Sequence, residues 1–103
     1  MDSATLPEDC QTMAQVRAGV DALDRELVML LDRRFAYMCA AALIKPDRTM
    51  VRDEARKAAV IAAARDEARK LGAPAERIAA LWEALVESSI AYELEQWDVK
   101  PPG

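Results

Sequence analysis

The chain has 103 residues, of which 52% are hydrophobic and only 5% aromatic, and its formal net charge is -4. This length predicts one domain over residues 1–103, and an apolar content dominated by alanine and leucine favours helix over sheet. Nucleic-acid binding depends on clustered basic charge, so the acidic balance argues against a nucleic-acid partner. No apolar run reaches the ~18 residues that span a bilayer, and no secretory signal is recognisable, so we expect no membrane partner and a cytoplasmic location.

The residue types also limit the chemistry. No histidine is present, which excludes His-dependent catalytic triads and most zinc sites. Cys10 and Cys39 are too far apart in sequence for a CxxC pair or a disulfide framework. We therefore predict no metal site, and any catalysis must depend on arginine, lysine, carboxylate and hydroxyl groups.

The first predicted element is a long helix. An irregular lead-in over residues 1–11 precedes a capping box, Thr12-x-x-Gln15, which marks a helix start. From Met13 to Ile44 there is no proline, and apolar residues recur at steps of three, four or seven, as in a helix. The recurring residues are Val16, Val20, Leu23, Leu27, Leu31, Met38 and Ala41. Pro46 then ends the helix, and a loop follows.

Two shorter helices complete the predicted architecture. The second begins near Arg52 and ends near Lys70, and Gly72 stands where a left-handed C-terminal cap belongs. The third runs from about Ala75 to Trp97, and residues 98–103 form a tail. The predicted fold class is all-α, with three helices and a very long first helix.

The predicted first helix is too long for a protein of this size. Roughly 33 residues at 1.5 Å each give a rod of about 50 Å, whereas a compact domain of ~100 residues has a radius of gyration of about 13 Å. Two helices of about 18 and 23 residues cannot cover such a rod, and an exposed apolar stripe of this length promotes aggregation. We therefore expect a homodimer in which the first helices of two chains pair.

Polar residues interrupt the apolar stripes of two predicted helices. With about 100° per residue, Arg34 and Lys45 fall within roughly 40° of Val20 on the first helix. Ser89 and Glu93 interrupt the stripe of the third helix. The cations could extend toward solvent or pair with a carboxylate, Ser89 could bond its own helix backbone, and Glu93 could form an internal bridge to an arginine. The alternative is a polar pocket in the interior of a helical bundle.

The spacing of the cations suggests a ligand and a shared site. Arg34 and Lys45 lie about 16 Å apart along a helix, so both side chains can reach one ligand between them. Arg17 is about 25 Å from Arg34 and cannot reach that ligand from the same chain. If the first helices pair antiparallel about an axis near Val28, Arg17 of the partner subunit lies level with this gap. Three cations suit a small dianion, whose carboxylates arginine binds in bidentate fashion.

These residues resemble the all-helical chorismate mutase family, including its isochorismate pyruvate lyase branch. The similarity covers the chain from about Pro7 to Trp97, and Lys45 follows the first-helix motif at the family spacing. The most specific stretch is Val16-Arg17-x-x-Val20-Asp21-x-Leu23-Asp24-x-x-Leu27-Val28-x-Leu30-Leu31-x-Arg33-Arg34. The segment that resembles the family's second-helix entry is Val51-Arg52-Asp53-x-x-Arg56.

The resemblance implies a fold, a site and a reaction. The fold is an intertwined homodimer of three-helix chains. Arg34 and the partner subunit's Arg17 would bind the two substrate carboxylates, and Lys45 would contact the ether oxygen. The remaining implied site residues are Ser89 at a carboxylate, Glu93 at the ether oxygen, and Asp53 with Arg56 on the ring side. The implied catalytic residues are Lys45, Glu93 and Arg34, with no cofactor and no metal.

The sequence differs from typical mutases at two positions. Lys57 replaces a glutamate that contacts the ring hydroxyl, and the loop after Lys45 is one residue shorter. Glu93 replaces a glutamine, a substitution that some mutases carry. The lead-in and Trp97 are more similar to the lyase branch, which also lacks glutamate at the Lys57 position but keeps glutamine at the Glu93 position.

We therefore predict a chorismate mutase that rearranges chorismate to prephenate, which implies a role in aromatic amino acid biosynthesis in the shikimate pathway. Two alternatives stay open. The first is an isochorismate pyruvate lyase, which forms salicylate and pyruvate in the same pocket. The second is a non-catalytic helical module for dimerisation or ligand sensing.

Overall fold

The computed structural model describes residues 4–101. Three helices account for most of them: α1 spans Met13–Ile44, α2 spans Glu54–Leu71 and α3 spans Ala75–Val99. Single 3-10 turns occur at Pro7–Asp9 and Arg48–Met50. The described range contains no strand, so the predicted all-α class with a very long first helix is confirmed.

The predicted capping box starts α1. Gln15 N–H donates to Thr12 Oγ1 over 3.2 Å, and Gln15 Oε1 accepts from the Thr12 N–H over 3.1 Å. Two backbone donors at the helix start are thereby satisfied by side chains. The helix begins at Met13, as the sequence predicts.

Two compact units are distinguished by their internal contacts, and the division falls between Arg34 and Phe35 on α1. In the first unit, many apolar side chains of α1 face solvent. The Val20 residue is 50% exposed and Leu27 is 54% exposed. The single domain over residues 1–103 and the homodimer remain predictions.

The second unit contains the end of α1 together with α2 and α3, and α2 packs on α3. Its core contains a buried cluster of Val51, Val86 and Ile90. Partly buried side chains surround this core: Val60, Ile61, Trp82, Leu94 and Trp97. These residues recur at helical spacing on α2 and α3. Since they pack against the same core, the two apolar stripes face each other.

The ends of the shorter helices agree only partly with the prediction. Gly72 ends α2 in the left-handed conformation, with φ 70° and ψ 18°, so the predicted cap is confirmed. The third helix, in contrast, continues beyond Trp97 to Val99. Two residues of the predicted 98–103 tail are therefore helical, while Pro102 and Gly103 lie outside the described residues.

Residues 4–101 contain neither a membrane-spanning helix nor a cluster of metal ligands. None of the helices there is both long and apolar enough to cross a bilayer. That same range holds no group of three or more His, Cys, Asp or Glu side chains placed to bind a metal ion.

Candidate active site

Lys45 and Glu93 meet inside the second unit. Lys45 Nζ donates a hydrogen bond to Glu93 Oε2 over 2.7 Å, within a salt bridge. Glu93 is only 4% exposed, whereas the Lys45 side chain keeps 27% of its surface accessible. A buried carboxylate is stable only with a partner of this kind. Glu93 therefore forms an internal bridge, which was one of the alternatives for this residue, but its cation is a lysine rather than an arginine.

The local chain direction explains how Lys45 reaches this position. It directly follows α1, and its N–H still donates to the Ala41 carbonyl over 3.0 Å. Pro46 has no N–H and cannot continue the helix. Asp47 then caps the following turn by accepting from the Thr49 N–H over 2.9 Å. Lys45 is thus held between a helix end and a capped turn.

Ser89 lies one helical turn before Glu93 and is 3% exposed. Residues four apart share a helix face, so the hydroxyl and the carboxylate are neighbours on α3. Ser89 Oγ donates to the Leu85 carbonyl over 2.7 Å, which is the bond to its own helix backbone that was one of the two alternatives for this residue. The oxygen can still accept a hydrogen bond, but donation to a ligand requires rotation away from Leu85.

Asp53 and Arg56 lie together at the start of α2. Asp53 is the N-cap of this helix, and its Oδ1 accepts from the Arg56 N–H over 2.9 Å. Both residues are exposed. The structure therefore gives Asp53 a helix-capping contact. The orientation of a substrate ring by these two residues remains a prediction.

Lys57 belongs to a charged cluster that joins α2 to α3. Lys57 Nζ lies 2.7 Å from a carboxylate oxygen of Glu83 and 2.7 Å from one of Glu87. Arg52 also binds Glu87 through two hydrogen bonds of 2.8 and 3.0 Å. The hydrogen bonds from Arg52 and then from Lys57 lower the pKa of Glu87 to about 2. The hydrogen bonds that Lys57 makes to Glu83 and then to Glu87 raise the pKa of Lys57.

This cluster could not be predicted from the sequence, because the pairing depends on which residues of α2 and α3 lie opposite each other. Helical periodicity indicates a face of each helix but not the alignment between two helices. In the structure, the Lys57 ammonium is occupied by two carboxylates of α3. The glutamate that typical mutases carry at this position could not make these contacts, since like charges repel.

The first unit contains the two predicted arginine ligands. Arg17 is exposed near the start of α1, and Arg34 is partly buried further along the same helix. Because α1 is helical throughout, about 25 Å separates these positions along its axis. The two arginines therefore lie far apart on one helix, and the joining of either arginine to Lys45 in one pocket remains a prediction.

The site thus pairs one partly buried ammonium with one buried carboxylate in an all-helical protein. Residues 16–94 match the family described as chorismate mutase type II. Because this match covers more than half of the sequence, the chain belongs to the chorismate mutase type II family. The chain is also similar to an isochorismate pyruvate lyase of Pseudomonas aeruginosa, with 29% identity over 91 residues. The alignment covers 88% of this chain and 90% of the relative.

Proposed function

We propose that this protein is a chorismate mutase, which rearranges chorismate to prephenate in a pocket built around Lys45 and Glu93. The observation that carries the proposal is the 2.7 Å contact between these two side chains on the buried face of α3, in a chain of the chorismate mutase type II family. The substrate class, a small dianion with an ether oxygen, follows from this family membership. Such a ligand needs cations and hydrogen-bond donors at fixed positions.

The rearrangement is pericyclic, so the enzyme needs no nucleophile. Its tasks are to hold the enolpyruvyl side chain over the ring and to stabilise the negative charge that develops on the ether oxygen. Lys45 is suited to the second task, because its ammonium is held in a partly buried position where charge interactions are stronger than in water. We assign Lys45 to the ether oxygen.

Glu93 is the second group that we assign to the ether oxygen. Its side chain contacts Lys45 over 2.7 Å, so a ligand atom at the Lys45 ammonium also lies next to Glu93. A carboxylic acid at this position can donate one hydrogen bond to that oxygen, whereas an ionised carboxylate would repel the developing negative charge.

The other site residues hold the substrate. We assign Arg34 and the partner subunit's Arg17 to the two carboxylates, because guanidinium groups match carboxylates in bidentate geometry. Ser89 contacts a carboxylate after its hydroxyl rotates away from the Leu85 carbonyl. A homodimer supplies Arg17, and its exposure in the single chain leaves it accessible to a second copy.

Asp53 and Arg56 are assigned to the ring side of the substrate. The N-terminal end of α2 is fixed by the Asp53 cap, which gives the Arg56 side chain a defined starting point. The ring hydroxyl is not assigned to Lys57, because its ammonium already binds Glu83 and Glu87.

Isochorismate pyruvate lyase is the second candidate function. The observation that favours it is the similarity to the Pseudomonas aeruginosa lyase over 88% of this chain. The lack of a carboxylate at Lys57 is common to that branch. Glu93 favours the mutase, since the lyase branch keeps glutamine at this position.

A two-substrate assay tests the proposal. Purified protein is supplied separately with chorismate and with isochorismate, and the products are separated by chromatography. Prephenate from chorismate supports the mutase, whereas salicylate and pyruvate from isochorismate support the lyase. Absence of all three products would contradict both and return the protein to a non-catalytic role in dimerisation or sensing. Arg34→Ala, which removes a carboxylate ligand, should raise the KM and lower the kcat for the accepted substrate.

A further inference from the structure

The last turn of α3 and the residue after it hold the backbone at the end of α1. Trp97 Nε1 donates to the Lys45 carbonyl over 3.1 Å. Lys100 Nζ donates to the same carbonyl over 2.7 Å and to the Ala42 carbonyl over 3.0 Å. Two donors from the C-terminal end of α3 thus converge on the backbone of Lys45.

These contacts give the last carbonyls of α1 hydrogen-bond donors and a nearby positive charge. The last carbonyls of a helix have no partners within the helix, and they carry a partial negative charge that a cation stabilises. The last turn of α1 contains no basic residue. Lys100 provides the missing cation from another element, and its ammonium also lies 4.6 Å from the centroid of the Trp97 ring.

The two ends of Lys45 are therefore bound to the same helix. Its ammonium contacts Glu93 and its carbonyl accepts from Trp97. Glu93 and Trp97 are four residues apart on one face of α3, or about 6 Å along the axis. On the next turn of the chain, Arg48 forms two hydrogen bonds of 2.8 and 3.2 Å with Asp98, which fixes the following loop to α3 as well.

We propose that Trp97 and Lys100 are positioning residues for Lys45. They set the backbone from which the Lys45 side chain extends, and so they set where its ammonium lies next to Glu93. This inference rests on the proposed function for its catalytic consequence, because the consequence appears only if Lys45 acts on the ether oxygen. The contacts themselves can be tested without any activity.

The first test observes Lys45 directly by NMR. The chain has four lysines, Lys45, Lys57, Lys70 and Lys100, so the side-chain signals of protein labelled with carbon-13 at lysine Cε are assigned by single substitutions. We expect Lys100→Met, which keeps an apolar chain but removes the ammonium, to shift or broaden the Lys45 signal. Lys100→Arg, which keeps the charge and the donors, should restore it. Lys70→Met is the matched control, because Lys70 is exposed and pairs with Glu67 on its own helix.

The second test is kinetic, on the substrate that the wild type accepts. A shift of a catalytic group by ~1 Å can cost up to ~100-fold in rate, so we expect Lys100→Met to lower the kcat about tenfold. The KM should change less than about threefold, because the contact of Lys45 with the ether oxygen strengthens mainly in the transition state. Trp97→Phe keeps an aromatic ring in the core and removes only the N–H donor, so it should also lower the kcat. Circular dichroism establishes that each variant is folded.

The outcomes separate this inference from the proposed function. A moved Lys45 signal with a lower kcat supports the inference, and recovery in Lys100→Arg strengthens it. An unchanged Lys45 signal in folded Lys100→Met overturns it, as does a moved signal with an unchanged kcat. If the wild type accepts neither substrate, the proposed function fails and the catalytic consequence with it. The Lys45 signal then still decides whether Lys100 positions Lys45. If Lys100→Met does not fold, the Lys45 signal and the kcat are compared between Trp97→Phe, which removes one donor, and Lys100→Arg, which keeps both donors.

Discussion

At the scale of single residues, Glu93 carries the most informative chemistry. Its carboxylate lies on the buried face of α3 and has Lys45 as its cation. The pair holds opposite charges in balance before a ligand arrives. A dianionic substrate adds negative charge to this region, so the role proposed for Glu93 at the ether oxygen requires a hydrogen-bond donor there rather than a second negative charge.

The first prediction concerns the donor role proposed for Glu93. Glu93→Gln keeps a side chain of the same shape that donates a hydrogen bond without a negative charge, so it should retain or raise the kcat of the wild type. Glu93→Leu has no donor and should lower the kcat about 100-fold. The measurement is the kcat of both variants at one pH. Glu95→Gln, an exposed change on the same helix, is the control and should keep the wild-type kcat. A Glu93→Leu variant as active as the wild type would exclude this role for Glu93.

Ser89 gives a second prediction at this scale. Its hydroxyl now donates to the Leu85 carbonyl, which also has a backbone donor in the helix. Ser89→Ala should therefore change the free energy of unfolding by less than about 1 kcal/mol. If Ser89 binds a substrate carboxylate, the KM should rise by roughly tenfold, the loss of a charge-assisted hydrogen bond. Urea unfolding and steady-state kinetics measure the two effects. An unchanged KM would exclude Ser89 as a contact of the substrate.

At the scale of the helices, the sequence predicted starts and ends well where local chemistry determines them. The Thr12 and Gln15 capping box and the left-handed Gly72 are signals contained within a few residues, and both are confirmed. The end of α3 was predicted two residues too early because its stabilising contacts come from elsewhere in the chain. Lys100 binds carbonyls of α1 that are more than fifty residues earlier. Such contacts have no local pattern.

The same distinction applies to the site. Periodicity indicated that Ser89, Glu93 and Lys45 interrupt apolar stripes, and all three are buried or partly buried. Periodicity did not predict which cation pairs with Glu93. Arg34 and Lys45 both lie on the apolar stripe of α1, so either of them could face this carboxylate. The cluster of Lys57 with Glu83 and Glu87 was missed for the related reason that it depends on how α2 and α3 align.

The third prediction compares two glycines. Gly72 has φ 70°, a region that an L side chain enters only with strain. Gly72→Ala should therefore lower the free energy of unfolding by about 1 kcal/mol. Gly19 lies inside α1, and an added Cβ would meet only the Thr5 carbonyl oxygen at 3.8 Å, an ordinary contact. Gly19→Ala should raise the free energy of unfolding by about 0.5–1 kcal/mol, because alanine favours helix. Urea unfolding measures the free energy of unfolding of both variants. Equal changes in both would contradict the idea that only Gly72 depends on a left-handed backbone.

The fourth prediction concerns the charged cluster between α2 and α3. Arg52 and Lys57 lower the pKa of Glu87 from its usual 4.5 to about 2. A lowered pKa adds stability above the unfolded value, and this stability is lost as the pH falls from about 4.5 toward 2. Glu87→Gln should therefore unfold at a lower temperature than the wild type near neutral pH. The difference should narrow as the pH falls through this range.

Thermal unfolding followed by circular dichroism at several pH values measures this effect. Glu95→Gln again serves as the control, because Glu95 is exposed on the same helix. A constant difference between Glu87→Gln and the wild type at every pH would mean that the loss is not electrostatic.

At the scale of the whole molecule, α1 raises the question of what covers it. Val20 and Leu27 are at least half exposed in the single chain, in a row of similar apolar residues. Exposed apolar surface of this extent is typical of interaction sites. The sequence predicted that a second chain covers it and contributes Arg17 to a pocket that contains Arg34 and Lys45. The test must therefore ask whether two chains share one site.

Mixing two inactive variants answers this question. In a heterodimer of Arg17→Ala and Lys45→Met chains, one pocket keeps its own Lys45 and receives an intact Arg17, while the other loses both. A randomly mixed population should regain about one quarter of the wild-type activity, because half of its dimers carry one intact pocket of two. Arg34→Ala mixed with Lys45→Met is the control: both residues belong to the same chain's pocket, so no intact pocket forms and no activity returns. Recovery in both mixtures, or in neither, would exclude a pocket completed by the partner subunit's Arg17, whereas recovery in the first mixture alone requires it.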